Sequence, residues 1–235
     1  MNTPIFFTDL TTASGAEFEL DEDSSRHAVQ VLRMKGDDVL RVTDGKGMMM
    51  SARIVNAHKK HCSVRVVASE SQPQLKPRLT IAISLIKNIS RFEWFIEKAA
   101  ELGTAAVIPL ISERTEKLNV RSDRLASISK SAMLQSEQSW LTNVHEPTKL
   151  PQVVSGSQQQ QKLIAHCTAG NEEHLASVFN AGLEDHILLI GPEGDFSPAE
   201  VELATAHGFT GVSLGKTRLR TETAGIFGAV ICRGR

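Results

Sequence analysis

Two segments near the C-terminus of this 235-residue chain carry residue types able to grip a polar or charged ligand. The first is Gly191-Pro192-Glu193-Gly194-Asp195, placed directly after the apolar run HILLIG. Glycines in such a turn let backbone amides come close to a ligand. In an α/β sheet, ligands lodge beyond the carboxyl ends of strands. An ordinary tight turn between strand and helix would use the same residues. The second segment is LGKTRLRTETAG, residues 214 to 225, where Lys216, Arg218 and Arg220 stand beside Thr221, Glu222 and Thr223. Cationic donors, hydroxyls and a carboxylate at a helix start suit a charged ligand. Gly215-Lys216-Thr217 has the look of a phosphate-binding loop, but that motif spaces its glycines one residue further apart than Gly211 and Gly215. Nucleotide hydrolysis is set aside on that ground.

The elements around these segments read as alternating strands and helices. LTIAISL is a continuous apolar run of the kind buried on both faces. A helix is expected over residues 91 to 102, with Phe92, Phe95, Ile96 and Ala99 on its core side. AAVIPL is the next strand, and a helix from about Ser122 follows it. Residues 138 to 161 read as a loop ending in Ser-Gly-Ser and four glutamines. KLIAHC is then a strand, Asn171 to about Ala181 a helix, and HILLIG the strand that enters the glycine turn. Ser197, Pro198 and Glu200 announce a capped helix, GVSL a short strand, and Thr221 to Ile231 a final helix. In that last helix Gly225, Gly228 and Ala229 leave one side bare, while Ile226, Phe227, Val230 and Ile231 read as core.

The N-terminal part has another rhythm. VLRVT, the turn Asp44-Gly45-Lys46-Gly47, MMMSARIVNA and CSVRVVA predict a small β-barrel preceded by a helix near Ser24 to Arg33. The proline-bearing stretch SQPQLKPR marks a linker. The expected division is residues 1–72, a linker at 73–78, and an α/β domain over 79–235.

Hydrophobic residues at 41% and charged residues at 23% describe an ordinary globular chain. No apolar run approaches the roughly 20 residues that cross a bilayer, and the opening MNTPIFFTDL lacks the features of a leader. A cytoplasmic protein without membrane contact is expected. Cys62, Cys167 and Cys232 stand far apart, so neither a metal site nor a disulfide framework is indicated. The net charge of -1 gives no sign of a nucleic-acid partner, but residues 76 to 130 hold ten Lys and Arg against six acids, a surplus of four. That footprint fits RNA and fits a solvated surface equally.

GPEGDFSPAE followed by LGKTRLRTETA resembles the SPOUT-class RsmE family of ribosomal RNA uridine N3-methyltransferases. HAVQVLRMKGDDVLRVTDGKG is similar to that family's N-terminal PUA-like barrel, and FEWFIEKAAELGTAAVIPLISERT to the start of its methyltransferase domain. The resemblance implies an α/β fold with a C-terminal trefoil knot, a homodimer with its active site at the subunit interface, and S-adenosylmethionine held among three loops. By position these are Ala165, His166 and Cys167; then Ile190, Gly191, Pro192, Glu193 and Gly194; and then Leu214 to Ala224, with Gly215, Leu219, Thr221, Thr223 and Ala224 as contacts. The implied substrate is a uridine of small-subunit (16S) ribosomal RNA, free or within the subunit. The chain departs from the family pattern at Pro4-Ile5, at Gln138 and at Thr217.

Methylation at uridine N3 requires an imide proton to leave and the resulting charge to be stabilised. Arg220 is the candidate for the second task, or else a partner of Glu222 in a salt bridge. Glu222 is the candidate to orient the cofactor or accept the proton. Glu193 suits backbone hydrogen bonds, and Cys167 a packed thiol. Arg26, His27, Arg33 and Lys35 in the barrel, with Arg114, are candidate RNA contacts. The rival reading is a non-catalytic RNA-binding or ribosome-assembly factor that keeps the fold.

Overall fold

The computed structural model describes residues 3–10, 14–166 and 173–233, which group into two compact units. The first comprises Met1–Gln74 together with Met133–Leu141, and the second Leu75–Ala132 with Thr142–Arg235.

In the first unit, β1 (Ile5–Phe7), β2 (Glu17–Glu19), β3 (Val39–Thr43), β4 (Met48–Asn56) and β5 (Ser63–Ser71) form one sheet in the order β1-β3-β4-β5-β2. The β3–β4 turn closes because the Asp44 carboxylate accepts the Lys46 and Met48 amides at 2.7 and 3.1 Å. Gly45 and Gly47 take φ of +69° and +99° there, which suits residues without a Cβ. The expected helix is in fact a short α1 (Glu22–Arg26), capped by Asp21, that passes into a π-helical turn over His27–Val31. Phe6, Leu40, Met50, Ile54 and Val64 are among the residues of this unit's core. The returning segment is tied in by an Arg41–Glu137 ion pair at 2.6 Å, and Trp140 donates its indole N–H to the Gln72 carbonyl at 2.8 Å.

The second unit is built on a parallel sheet. Its elements in chain order are β6 (Arg78–Ser84), α2 (Ile89–Glu101), β7 (Ala106–Ile111), α3 (Ser122–Gln135), β8 (Asn143–Val144), β9 (Thr148–Lys149) and α4 (Leu150–Gly156). Next come β10 (Gln161–Ala165), α5 (Leu175–Val178), β11 (Asp185–Ile190), α6 (Pro198–Ala206), β12 (Thr210–Val212) and α7 (Thr221–Arg233). The strand order is β12-β10-β11-β6-β7-β8, with β9 also on β7. The central strands are buried on both faces, as their unbroken apolar runs require. Along β11, Leu188 and Ile190 join the core of Phe92 and Phe95, while Ile187 and Leu189 join that of Leu150, Phe196 and Phe209.

Several expectations need correction. Residues 138–161 are not a loop throughout, since β8, β9 and α4 lie there and Leu150, Val153 and Val154 are buried. The helix expected over Asn171–Ala181 is reduced to α5 within the described residues; Asn171 lies outside them. Phe227 and Val230 are not core, being 37% and 48% exposed. The bare side of α7 faces α2 and the sheet: a Cβ on Gly225 would lie 2.5 Å from the Phe95 ring and 2.8 Å from Ile83, and one on Gly228 would lie 2.4 Å from Leu188. The chain thus leaves the sheet edge at β12 and turns back over β11 and β6.

Candidate functional site

Register sets the site. Ala165 pairs with Ile190 on one side and with Val212 on the other, so β10, β11 and β12 finish in one row. Their three following segments therefore leave the same edge of the sheet, at the carboxyl ends where α/β sheets hold ligands. Between them lies a cavity of about 560 Å³. Ala165 and His166 line it from the first segment, Ile190, Gly191, Pro192, Glu193 and Asp195 from the second, and Ser213 through Leu219 with Thr221 and Ala224 from the third.

Side chains of the third segment hold the second. The Thr221 hydroxyl donates to the Gly191 carbonyl at 3.1 Å, and the Arg218 guanidinium donates to the Glu193 carbonyl at 2.9 Å. The glycine turn is closed by the Asp195 amide donating to the Pro192 carbonyl at 2.9 Å, with Asp195 itself at φ 64°. Left-handed backbone is uncommon outside glycine, though aspartate is among the residues that tolerate it. A side chain at Gly191 would be tightly placed, because a Cβ there would sit 3.2 Å from the Phe196 ring. Beyond the turn, Ser197 and Glu200 form the expected reciprocal cap of α6. Gly215 takes φ +118°, and its amide donates to the Ser213 hydroxyl at 3.1 Å. Nearby, the Glu116 carboxylate raises the pKa of the Lys87 ammonium, and the Glu193 charge adds to the effect.

Of the candidate cofactor contacts, Ala165, His166, Ile190, Gly191, Pro192, Glu193, Leu214, Gly215, Leu219, Thr221 and Ala224 border this cavity. Cys167 lies outside the described residues. Gly194 and Thr223 do not border it: Gly194 is exposed beside the Arg114 side chain, and Thr223 is exposed on α7. Arg220 is exposed between two bordering residues, Leu219 and Thr221. Glu222 is 8% exposed, and the cation beside it is Arg91, at 3.8 Å. Asp195, Ser213, Lys216, Thr217 and Arg218 also border the cavity. Their signal was available, since each lies inside or next to the two segments singled out above.

None of the candidate RNA contacts borders the cavity, although Arg114 bonds to Gly194. Arg26 is ion-paired with Asp23, the exposed His27 makes a T-shaped ring contact with Phe6, and Arg33 and Lys35 are exposed, with Arg33 at φ 56°. The basic surplus of residues 76–130 is largely matched by carboxylates from outside that segment: Lys76 pairs with Glu184, Arg78 with Asp185 and Arg91 with Glu222.

Residues 73–232 match the family described as RNA methyltransferase domain, and residues 20–67 match RNA methyltransferase PUA domain. The chain belongs to the RNA methyltransferase family. A curated family relative, ribosomal RNA small subunit methyltransferase E of Synechocystis, is 34% identical over 83% of this chain, a match that spans 65% of the relative's own length. A solved structure described as a probable rRNA-methyltransferase from Porphyromonas gingivalis superposes with a TM-score of 0.90 at 36% identity, and the match covers 98% of each chain. Another, ribosomal RNA small subunit methyltransferase E of Neisseria gonorrhoeae bound to S-adenosyl methionine, superposes at 0.86 with 26% identity over 97% of this chain and 96% of that one. The fold is accordingly a SPOUT-type α/β methyltransferase domain preceded by a PUA-like domain. Among the described residues no helix is long and apolar enough to cross a membrane.

Proposed function

We propose that this chain methylates N3 of a uridine in small-subunit ribosomal RNA, with S-adenosylmethionine as the methyl donor. The observation that carries the reading is the single cavity shared by the segments after β10, β11 and β12, the second and third of them joined through Thr221 and Gly191. Its volume of about 560 Å³ suits a nucleoside-sized cofactor. The lining fits as well: Ile190, Pro192, Leu214 and Leu219 offer apolar surface to a base, while Ser213, Thr217 and Thr221 offer hydroxyls.

S-adenosylmethionine supplies an electrophilic methyl carbon. The chain must hold the uracil in line with it, and positioning of this kind is worth up to about 7 to 11 kcal/mol of a barrier. Arg220, exposed at the mouth of the third segment, is our choice to stabilise the negative charge that develops on the imide. Glu222, buried in the first turn of α7 beside Arg91, orients that segment or takes up the released proton. The exposed Arg33 and Lys35 on the first unit, with Arg26 and His27, grip RNA phosphates. Phe227 and Val230, apolar and exposed on α7, form part of a homodimer interface. The protein works in the cytoplasm, where its substrate is made.

Two measurements test the proposal together. Calorimetric titration of the intact protein with S-adenosylmethionine should show binding, and mass spectrometry of ribosomal RNA should show one N3-methyluridine that disappears when the gene is removed. Binding without loss of that nucleoside would overturn the substrate; no binding would overturn the cofactor. RNA binding with neither would leave an assembly factor.

A further inference from the structure

The segment after β7 lies outside the cavity lining, yet it reaches both the glycine turn and the cap of the helix that follows it. Arg114 donates from its guanidinium to the Gly194 carbonyl at 2.7 Å, and a Cβ on the exposed Gly194 would stand 3.3 Å from Arg114 Cδ. One residue earlier, the Glu113 amide donates to Glu200 Oε1 at 2.7 Å, while the other oxygen of Glu200 accepts the Ser197 amide at the start of α6. The turn that carries these two donors is itself fixed. The Ser112 amide and hydroxyl meet Thr115 Oγ1 at 2.9 and 2.8 Å, and Ser112 Oγ lies 3.3 Å from Ser84 Oγ at the end of β6. Ser84, Ser112 and Thr115 are all buried.

Arginines from two different segments therefore hold two successive carbonyls of the glycine turn, Arg218 at Glu193 and Arg114 at Gly194. They differ in what stands behind them. Arg218 belongs to a segment that itself borders the cavity, whereas Arg114 is anchored through the Ser112–Thr115 turn to the central strand β6. A glycine-rich turn samples many backbone states when free. Holding a binding loop in its working shape lowers the ordering cost that a ligand would otherwise meet.

We propose that Arg114 is a positioning residue for the cofactor, acting through the Gly194 carbonyl to pre-form the Gly191–Asp195 turn, and is not an RNA phosphate contact. This rests on the cofactor reading given under Proposed function. It predicts a split in the kinetic constants that a general loss of fold would not produce. In Arg114→Ala, the Kd for S-adenosylmethionine measured without RNA, and the KM for it, should both rise about tenfold. The kcat at saturating cofactor and the affinity for ribosomal RNA should stay within about twofold of wild type. Arg114→Lys, which keeps one cationic donor on the same stem, should recover part of the loss. The thermal midpoint of both variants, followed by circular dichroism, should stay near wild type because the side chain is exposed. An unchanged cofactor Kd together with weakened RNA binding would overturn the proposal in favour of a phosphate contact, and unchanged values throughout would overturn it outright. A wild-type protein that binds no S-adenosylmethionine would instead remove the reading beneath it.

Discussion

Thr221 carries more of the site's geometry than its size suggests. Its hydroxyl is buried and donates to a carbonyl 30 residues earlier in the chain, in the other segment of the cleft. Thr221→Val keeps the shape and leaves the Gly191 oxygen without that donor, a loss of about 1 to 3 kcal/mol for a buried group. We expect calorimetry to show roughly tenfold weaker cofactor binding and thermal unfolding to show a small drop in midpoint. Equal affinity in the variant would mean that the two segments hold together without this bond. At this scale the sequence was informative about which segments matter and less so about which residues face inward. Gly191, Pro192, Leu214 and Leu219 border the cavity as expected, but so do Asp195 and Thr217. Which side chains of a loop turn inward depends on φ/ψ values, such as that of Asp195, that no periodicity reveals. The Glu222 partner was equally hidden, since Arg91 comes from α2, far away in the chain.

Elements with a clear period or a clear cap were legible. The Ser197–Glu200 cap, the buried runs of β6 and β11, and the core face of α2 all stand where residue spacing put them. Elements too short to show a period were not: β1 and β2 each have three residues and bury a single phenylalanine, and β8 and β9 have two residues each. Helix α7 illustrates a different limit. It is apolar nearly all round, so its sequence could not say which apolar residues lack a partner. Its glycines say where it is tight. Gly225→Ala would drive a methyl group against the Phe95 and Ile83 side chains, both fully buried. We expect a net destabilisation of about 1 to 3 kcal/mol from overpacking, read as a lower thermal midpoint. Gly156→Ala, where nothing lies within 4 Å, is the control that should leave it unchanged.

Strand β11 also gives a pH dependence. His186 is fully buried at its start, with its ring nitrogens 3.0 Å from Gln161 Oε1 and from the Leu183 carbonyl. Burial pushes its pKa below the ordinary histidine value, against the opposing pull of the Leu183 carbonyl and Asp185. The unfolded chain, with its histidine near about 6.5, therefore takes up the proton first as pH falls. The contribution of this group is present above that value and is lost through the acid side of it. Urea denaturation between neutral pH and about pH 5 should show falling stability, with a shallower slope in His186→Gln. A slope that the substitution leaves unaltered would assign the acid sensitivity to other groups.

At the scale of the whole molecule, the exposed apolar residues of α7 bear on assembly. If Phe227 and Val230 belong to an interface between two copies, Val230→Asp should place a charge in it. Sedimentation velocity should then show a monomer where the wild type sediments as a dimer. A variant that remains dimeric would move the interface elsewhere.

The chain passes between its two compact units after Gln74, after Ala132 and after Leu141. Residues 1–74 alone would lack the Glu137 partner of Arg41 and the Trp140 indole that bonds to Gln72. Anyone transplanting this N-terminal module onto another protein by a single splice would carry away an unfinished piece. A faithful graft needs the later hairpin-sized insert as well, and natural recombination, which favours single joints, meets the same obstacle.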